Sequence, residues 1–298
     1  MGEKTGFIGL GAMGKPMAKN IATSGIPLVV HDIDKNKSDL FCEIGVAIAD
    51  SPKQVAEEST RSICLVETTD QVKEVIYGHN GIIHGAKPEH IIICMSTIDP
   101  LIAKDIAKDL IRKNIHLLDA PISGGTARAQ DGSLTVMVGG DKKLFDKCQD
   151  IFAAVGTDAF YIGDQGQGLI LKLINNMLAI TNTITLIEGL TIGVKSGIGL
   201  EKMYQVIKTS SGASAAFDLR TPRIIAGDFK PGGTMDIVYK DQELITAYAK
   251  KIGVPTLMAN LSQQVYQMAR TAGLNKQDSS AVVKIYEQLA DVNVVGRK

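Results

Sequence analysis

Apolar and polar positions fall into two regimes along this chain. Up to about Gly163, short apolar runs alternate with segments of helical spacing. The runs Thr5–Leu10, Pro27–Asp32, Ser62–Val66, Ile91–Met95, Ile115–Asp119 and Leu134–Val138 are apolar on both sides. They predict strands of a mostly parallel sheet covered on two faces. Between them, Lys15–Thr23, Asp70–Tyr77 and Pro100–Arg112 carry the spacing of helices. Beyond Gly163 the pattern changes. Gly166-Gln-Gly168 opens an apolar segment reaching about Lys195, far too long for a strand, and the remainder is helical in spacing. Breakers stand at Gly197–Gly199, Ser210–Gly212, Pro231–Gly233, Gly253–Pro255 and Gly273. The pattern predicts a doubly wound α/β domain, residues 1–163, followed by an all-α domain, residues 164–298.

A chain of 298 residues has room for two such domains, and 45% apolar with 21% charged residues is the balance of a globular protein. Lys plus Arg equals Asp plus Glu, 32 against 32, so no net field draws nucleic acid or an acidic membrane. The four cysteines, Cys42, Cys64, Cys94 and Cys148, form no CxxC pair, so they read as reduced core thiols and no metal site is expected. The N-terminus leads directly into a strand, leaving no room for a signal peptide, and no apolar run reaches a membrane span without interruption. The expectation is a cytoplasmic protein that binds neither membrane nor nucleic acid.

The first candidate chemistry lies where the opening strand delivers Gly9-Leu10-Gly11-Ala12-Met13-Gly14 into a helix. In a βαβ unit these glycines allow a tight turn, close approach of a pyrophosphate and close packing of helix on strand. The phosphates then sit at the helix N-terminus. Pro16 suits the first turn, where a missing N–H costs nothing. Asp32 closes the second strand 18 residues after Gly14; a carboxylate there hydrogen-bonds ribose hydroxyls and repels a 2′-phosphate. Ile33-Asp34 brings no arginine to that point. The motif predicts a Rossmann domain that takes NAD in preference to NADP.

The second candidate is a lysine within Gly168-Leu-Ile-Leu-Lys172-Leu-Ile-Asn175-Asn176-Met-Leu-Ala-Ile180. This segment is apolar nearly all round, which predicts a buried helix. Lys172 and Asn176, four residues apart, share one face, extended by Gly168, Ala179 and Thr183. A desolvated ammonium exchanges its proton near neutrality. Oxidation of an alcohol needs such a group, because the hydroxyl proton must leave as hydride departs from carbon. The bland alternative is a lysine reaching out to solvent. His31 beside Asp32, His79, His84 and His90 around a polar loop, and His116 within a strand are weaker candidates.

Four motifs in register resemble the β-hydroxyacid dehydrogenases, typified by 3-hydroxyisobutyrate dehydrogenase, across nearly the whole chain. They are Phe7-Ile-Gly-Leu-Gly-Ala-Met-Gly14 with Pro16-Met-Ala18 and Asn20; Asp119-Ala-Pro-Ile-Ser-Gly-Gly125 with Ala129, Gly132 and Val136-Met-Val-Gly-Gly140; Gly166-Gln-Gly168 with Lys172, Asn175 and Asn176; and Lys240-Asp241. The resemblance implies that Ser123, Gly124 and Gly125 cradle a substrate carboxylate, with Thr126 alongside. Glycines let backbone N–H groups turn toward one point, and Ser123 adds a hydroxyl donor. The resemblance further implies Lys172 as the catalytic lysine and Asn176 as the residue that helps position substrate. Val66 and Thr97 become cofactor contacts, and Lys240 lies near the nicotinamide end with Asp241 behind it. It also implies an active site in the cleft between the two domains and a homodimer or homotetramer formed through the helices.

This chain departs from the pattern in three places. Glu67, in Val66-Glu-Thr-Thr-Asp70, stands where relatives usually carry a proline; Ser133 follows Gly132 in place of threonine; Gln242 and Glu243 replace apolar residues. None removes a group that the chemistry needs. The motifs look most like 3-hydroxyisobutyrate and 2-(hydroxymethyl)glutarate dehydrogenases. The expected partner is therefore a small carboxylated hydroxyacid or its semialdehyde, interconverted with NAD and with Lys172 as acid/base. Tartronate-semialdehyde and sulfolactaldehyde reduction stay open, the intact Ser-Gly-Gly favouring a carboxylate. Imine reduction is disfavoured by Lys172, and a non-catalytic NAD-binding scaffold by Lys172, Asn176 and Ser123 together. Decarboxylating 6-phosphogluconate dehydrogenases share the motifs on longer chains. Arg220 and Arg223 either hold a second acidic group on the substrate or are surface arginines of a helix.

Overall fold

A computed structural model describes residues 3–296, so the outermost residues of both sequence-defined domains, 1–2 and 297–298, lie outside the described residues. The chain forms two compact units, Met1–Lys172 and Leu173–Lys298.

The first unit opens with β1 (Thr5–Ile8), α1 (Gly14–Thr23), β2 (Leu28–His31), α2 (Lys35–Cys42), β3 (Ala47–Ile48), α3 (Pro52–Glu58), β4 (Arg61–Cys64) and α4 (Thr69–Tyr77). It continues through β5 (Ile91–Cys94), α5 (Pro100–Ile111), β6 (His116–Asp119), β7 (Ile122–Ser123), α6 (Gly125–Gln130), β8 (Leu134–Gly139), α7 (Lys142–Lys147), α8 (Gln149–Val155) and β9 (Gly156–Gly163). The sheet runs β3-β2-β1-β4-β5-β6-β8-β7, with β9 pairing β8. Strands β3 to β6 in that order are parallel. Strand β8 is antiparallel to β6 and β7, and parallel to β9. The sheet is the mostly parallel one expected.

Every residue of β1, β4 and β5 is buried. Successive side chains of a strand point to opposite faces, and two cores follow from that rule. Phe7, Val30, Ile63, Ile93 and Leu118 pack on one face, while Ile8, Val29, Cys64, Ile92 and Leu117 pack on the other. At the carboxyl end the ladder extends one residue past four strands. Gly9, Leu65, Met95 and Ala120 donate their N–H groups to His31, Ile8, Cys64 and Cys94, at 2.8–2.9 Å. Four loops therefore leave the sheet from one line. Strand order reverses at β1, where the chain first adds β2 and β3 on one side and then β4 on the other; ligands bind at such a point.

Helix α9 (Gln167–Lys195) follows, and then α10 (Leu200–Ile207), α11 (Ala215–Ala226), α12 (Met235–Lys251), α13 (Leu257–Thr271) and α14 (Val283–Ala290). All five breaker segments seen in the sequence fall between these helices or directly after α13. Within the second unit, Ile180, Ile184, Ile187, Leu190 and Val194 form a buried stripe with helical spacing. Tyr266, fully buried, donates its hydroxyl to the Ile180 carbonyl at 3.2 Å. Gln242, which departs from the family pattern, ties α12 to α13 by donating to Ala259 O at 2.9 Å and Ser262 Oγ at 2.6 Å.

One expectation is corrected. Gln167–Lys195 is long and apolar enough, by length and composition alone, to cross a membrane, with a mean hydropathy of 1.5 over an 18-residue window. Half of that window is buried inside the fold. Of the thiols, Cys64, Cys94 and Cys148 are buried as expected and Cys42 is exposed.

His90 shows what core burial does to a titratable group. It is 2% exposed, with Nε2 2.9 Å from Ser62 Oγ. Burial lowers its pKa from the usual 6.5 to about 4, opposed by a backbone hydrogen bond at Ser59. The native state therefore refuses a proton that the unfolded chain accepts, so stability falls as pH drops through the window from 6.5 to about 4. His90→Gln is expected to flatten that part of a plot of melting temperature against pH. An unchanged slope would assign the acid sensitivity to other groups.

Candidate active site

The turn after β1 is tight because two glycines make it so. Gly9 has φ of 100°, and a Cβ on Gly14 would sit 1.9 Å from the Gly9 carbonyl oxygen. A Cβ on Gly11 would meet nothing within 4 Å. No neighbouring atom of the chain crowds that position, so the space it faces is open to a ligand. Asp32, 8% exposed at the end of β2, accepts the N–H groups of Leu10 at 2.6 Å and Asp34 at 2.9 Å. The carboxylate expected to face a ribose thus also fixes the glycine turn. Lys37 Nζ lies 3.5 Å from it, a neighbour that sequence spacing did not single out.

A cavity of about 420 Å³ opens here, lined by Gly9, Gly11, Asp32, Lys37, Val66 and Glu67, among others. Its floor is braced by Ser96, whose Oγ accepts the Val66 N–H at 2.8 Å and so joins the ends of β4 and β5 just before Thr97. Glu67 occupies the loop position noted as a departure from the family pattern. The loop is held by a capping box: Thr68 caps α4, and Gln71 Oε1 accepts the N–H groups of Thr68 and, at 2.9 Å, of Glu67. Glycine turn, buried carboxylate and lined cavity together fit a dinucleotide.

Further along the sheet, Ile122-Ser123 forms β7, and Gly124 and Gly125 turn the chain into α6 with φ of 139° and 72°. Side chains other than glycine are strained at such angles, which accounts for both glycines. Thr126 sits in the first turn of α6. At the far end of that helix, Asn20 of α1 donates its amide to Ala129 O at 2.9 Å. The helix behind the dinucleotide turn is thereby fastened to the helix behind the Ser-Gly-Gly loop.

Asp119, at the end of β6, has no exposed surface. One carboxylate oxygen accepts from Gly166 N at 2.6 Å and Gln165 Nε2 at 2.8 Å; the other accepts from Leu169 N at 2.9 Å. Burial pushes its pKa from the usual 3.8 up to about 6, while the N–H donors of Gly166, Leu169 and Gly168 hold it down. Lys172 stands three residues past Leu169 on α9 and is only 9% exposed.

In the second unit, Asn176 donates its amide to Asp241 Oδ2 at 2.7 Å, and Lys240 Nζ lies 3.2 Å from Asp241 Oδ1. The candidates Asn176 and Lys240 are thus brought onto one carboxylate. Arg220 is otherwise engaged, donating to both oxygens of buried Asp278 at 2.8 and 2.9 Å. Arg223 donates to the carbonyls of Asp228 and Lys230 and lies 3.8 Å from Asp278. Among the described residues no cluster of His, Cys, Asp and Glu is arranged to hold a metal ion.

Residues 4–163 match the family described as the NAD binding domain of 6-phosphogluconate dehydrogenase. Residues 166–286 match that described as NAD-binding of NADP-dependent 3-hydroxyisobutyrate dehydrogenase. The chain is 36% identical over 294 residues to 2-(hydroxymethyl)glutarate dehydrogenase of Eubacterium barkeri, covering 98% of each chain. It is 34% identical over 291 residues to the mitochondrial 3-hydroxyisobutyrate dehydrogenase of Mus musculus, covering 95% of this chain and 87% of that one. The crystal structure of a 3-hydroxyisobutyrate dehydrogenase from Salmonella typhimurium superposes with a TM-score of 0.87 at 30% identity, over 95% of this chain and 99% of that one.

The Ser-Gly-Gly geometry separates two substitutions. A Cβ on Gly125 would meet nothing within 4 Å, so Gly125→Ala carries only backbone strain, about 1–2 kcal/mol. A Cβ on Gly124 would lie 2.9 Å from Arg128 Cβ and 3.1 Å from Leu134 Cδ2, so Gly124→Ala adds a steric cost. Urea denaturation is expected to rank Gly124→Ala as the less stable variant; the reverse order would mean that the loop relaxes around the new methyl group.

Proposed function

The chain belongs to the β-hydroxyacid dehydrogenase family, and on that footing we propose that it is an NAD-dependent oxidoreductase interconverting a small 3-hydroxy carboxylic acid and its semialdehyde. The observation that carries this reading is Lys172, a residue only 9% exposed on the second turn of α9, directly beyond the turn seated on β6. A lysine away from water is suited to exchanging a proton with a substrate hydroxyl. NAD, when bound, supplies the hydride acceptor. The chain's own residues do the rest. Ser123 Oγ and the N–H groups of Gly124 and Gly125 hold the carboxylate, with Thr126 alongside. Lys172 Nζ takes the hydroxyl proton on oxidation and returns it on reduction. Asn176, one helical turn along α9, helps to orient the substrate.

In the same reading, Gly9, Leu10, Gly11, Ala12, Met13 and Gly14 receive the pyrophosphate and Asp32 the ribose. Val66 and Thr97 flank the cofactor, and Lys240 serves its nicotinamide end. Residues 1–163 are then the dinucleotide domain and 164–298 the substrate and oligomerisation domain. The pairing of Arg220 with Asp278 favours a substrate whose distal end needs no arginine, such as the methyl group of methylmalonate semialdehyde. Exposed Leu257, Met258 and Leu261 on α13 suit a homodimer or homotetramer. Three buried free thiols suit the reducing cytoplasm.

Asp32 bears on cofactor choice. Asp32→Asn keeps an acceptor for the Leu10 N–H while removing the charge that repels a 2′-phosphate. The ratio of kcat/KM for NADP to that for NAD is expected to rise about tenfold, equivalent to about 1.4 kcal/mol. An unmoved ratio would take Asp32 off the ribose. The deciding experiment follows NADH and NADPH absorbance against methylmalonate semialdehyde, tartronate semialdehyde, a 2-formylglutarate-type aldehyde and sulfolactaldehyde. Turnover of a carboxylated aldehyde is expected, falling at least ~10²-fold in Lys172→Ala with NAD binding retained. Full turnover in that variant would remove Lys172 from the chemistry. Silence across the panel with NADH still bound would point to imine reduction or a non-catalytic role.

A further inference from the structure

Resting on the reading of Lys172 as the proton-exchanging residue, we propose that Asp119 is a positioning residue that holds Lys172 in register with the Ser123 loop. It does so through the first turn of α9. A helix leaves its first N–H groups without partners, and these are usually met by a side chain just before the helix. Here the acceptor arrives from 47 and 50 residues earlier, at the end of β6. A local cap fixes only the helix end. A cap from the sheet also fixes how far along its axis, and at what rotation, the helix stands against that sheet.

Steric contacts reinforce the seat. A Cβ on Gly168 would sit 2.3 Å from Met137 O and 3.0 Å from Asp119 O, so α9 meets the strand ends backbone to backbone. A Cβ on Gly139 would lie 2.7 Å from Asp119 Oδ1, so β8 closes the other side of the carboxylate. Leu169, whose N–H Asp119 holds, is one helical step short of a full turn before Lys172. On its other side, Asp119 leads through buried Ala120, Pro121 and Ile122 to Ser123 and its glycines. One carboxylate therefore references both the lysine and the proposed carboxylate cradle to the same strand end. Misplacing a reacting group by about 1 Å can cost a hundredfold in rate.

Asp119→Asn tests this directly, because an amide offers one acceptor oxygen where the carboxylate offers two, and it turns N–H groups toward an N–H donor. In the full-length enzyme, kcat is expected to fall about 10- to 100-fold, with KM for the aldehyde and Kd for NAD within about threefold. Hydrogen exchange of the amides from Gly166 to Leu169 is expected to quicken at least ~10-fold, the direct sign of a loosened first turn. The double variant Asp119→Asn/Lys172→Ala discriminates mechanism from general damage. If Asp119 acts through Lys172, Asp119→Asn changes the residual rate of Lys172→Ala by less than about twofold. Multiplicative losses, or an unchanged kcat in the single variant, would overturn the proposal. Should Asp119→Asn fail to fold, Gln165→Ala, which removes one donor to the same carboxylate, enters the same cycle with an expected fall of about threefold that vanishes beside Lys172→Ala. Unimpaired turnover of Lys172→Ala alone sinks the reading of the lysine, while faster exchange at Gly166–Leu169 in Asp119→Asn would still establish Asp119 as the seat of α9.

Discussion

A carboxylate with no exposed surface survives inside a protein only where donors converge on it, because an uncompensated buried charge costs several kcal/mol. Asp119 imposes that requirement on the first unit. Its donors Gln165, Gly166 and Leu169 come after the chain has left β6, built β7, α6, β8, α7, α8 and β9, and returned. The excursion is closed at Asp119. Burial drives the carboxyl toward its neutral form and the N–H groups drive it back, which leaves the group with a pKa of about 6. Such a balance is sensitive to geometry: any slackening of the first turn of α9 weakens the donors and favours protonation, which in turn removes an acceptor. Seat and charge support each other.

The same strand ends carry everything else that the proposed chemistry asks of the first unit. Parallel strands send all their carboxyl ends to one edge, so loops separated by long stretches of sequence leave from neighbouring points. Gly9 after β1, Asp32 after β2, Val66 after β4, Thr97 after β5 and Ser123 after β6 share that edge. The loops are tied laterally as well. Asp32 holds Leu10, Ser96 holds Val66, and Asn20 holds Ala129. Each tie uses a side chain of one loop or helix to satisfy the backbone of another, so Leu10 and Val66 are braced through their backbones while Asp32 both braces and awaits the ribose.

What the sequence made legible follows from what each element buries. Strands β1, β4 and β5 lie between two helical layers, so their continuous apolar runs stand out, and the reading placed them to within two residues. Strand β9 is half-exposed along Gly156–Gly163, and its apolar run Ala159–Ile162 is short, with Thr and Asp before it and glycine at both strand ends. The two-residue strands β3 and β7 are too short for any periodicity to register. At the candidate site, the glycine turn and the strand-end Asp32 were readable because their positions follow from local chain geometry. Asp119 was visible as part of a motif, but its role was not, since its partners lie 46 residues and more along the chain. Lys37 was missed because a flexible lysine beside a carboxylate has no one-dimensional signature. The arginines stayed open between two readings for a similar reason: the partner of Arg220, Asp278, lies 58 residues further along the chain.

Lysine is a demanding choice for a proton-exchanging group. Its ammonium rides on a four-carbon stem and carries about 2 kcal/mol of rotamer entropy, with none of the planar preorganisation that arginine brings to its partners. Placing such a group to within a fraction of an ångström requires that its backbone contribute no further freedom. A loop could not supply that; a helix held only by its own hydrogen bonds would still rock on the sheet. Helix α9 begins instead on a buried carboxylate, with Gly168 letting it touch the strand ends, and Lys172 follows within one turn of the last contact. Further along, where the helix has entered the second unit, the seat is no longer needed, and the side chains Ile180, Ile184 and Ile187 serve only as core. The seating is concentrated where the proposed proton-exchanging lysine stands, which is where the chemistry would need it.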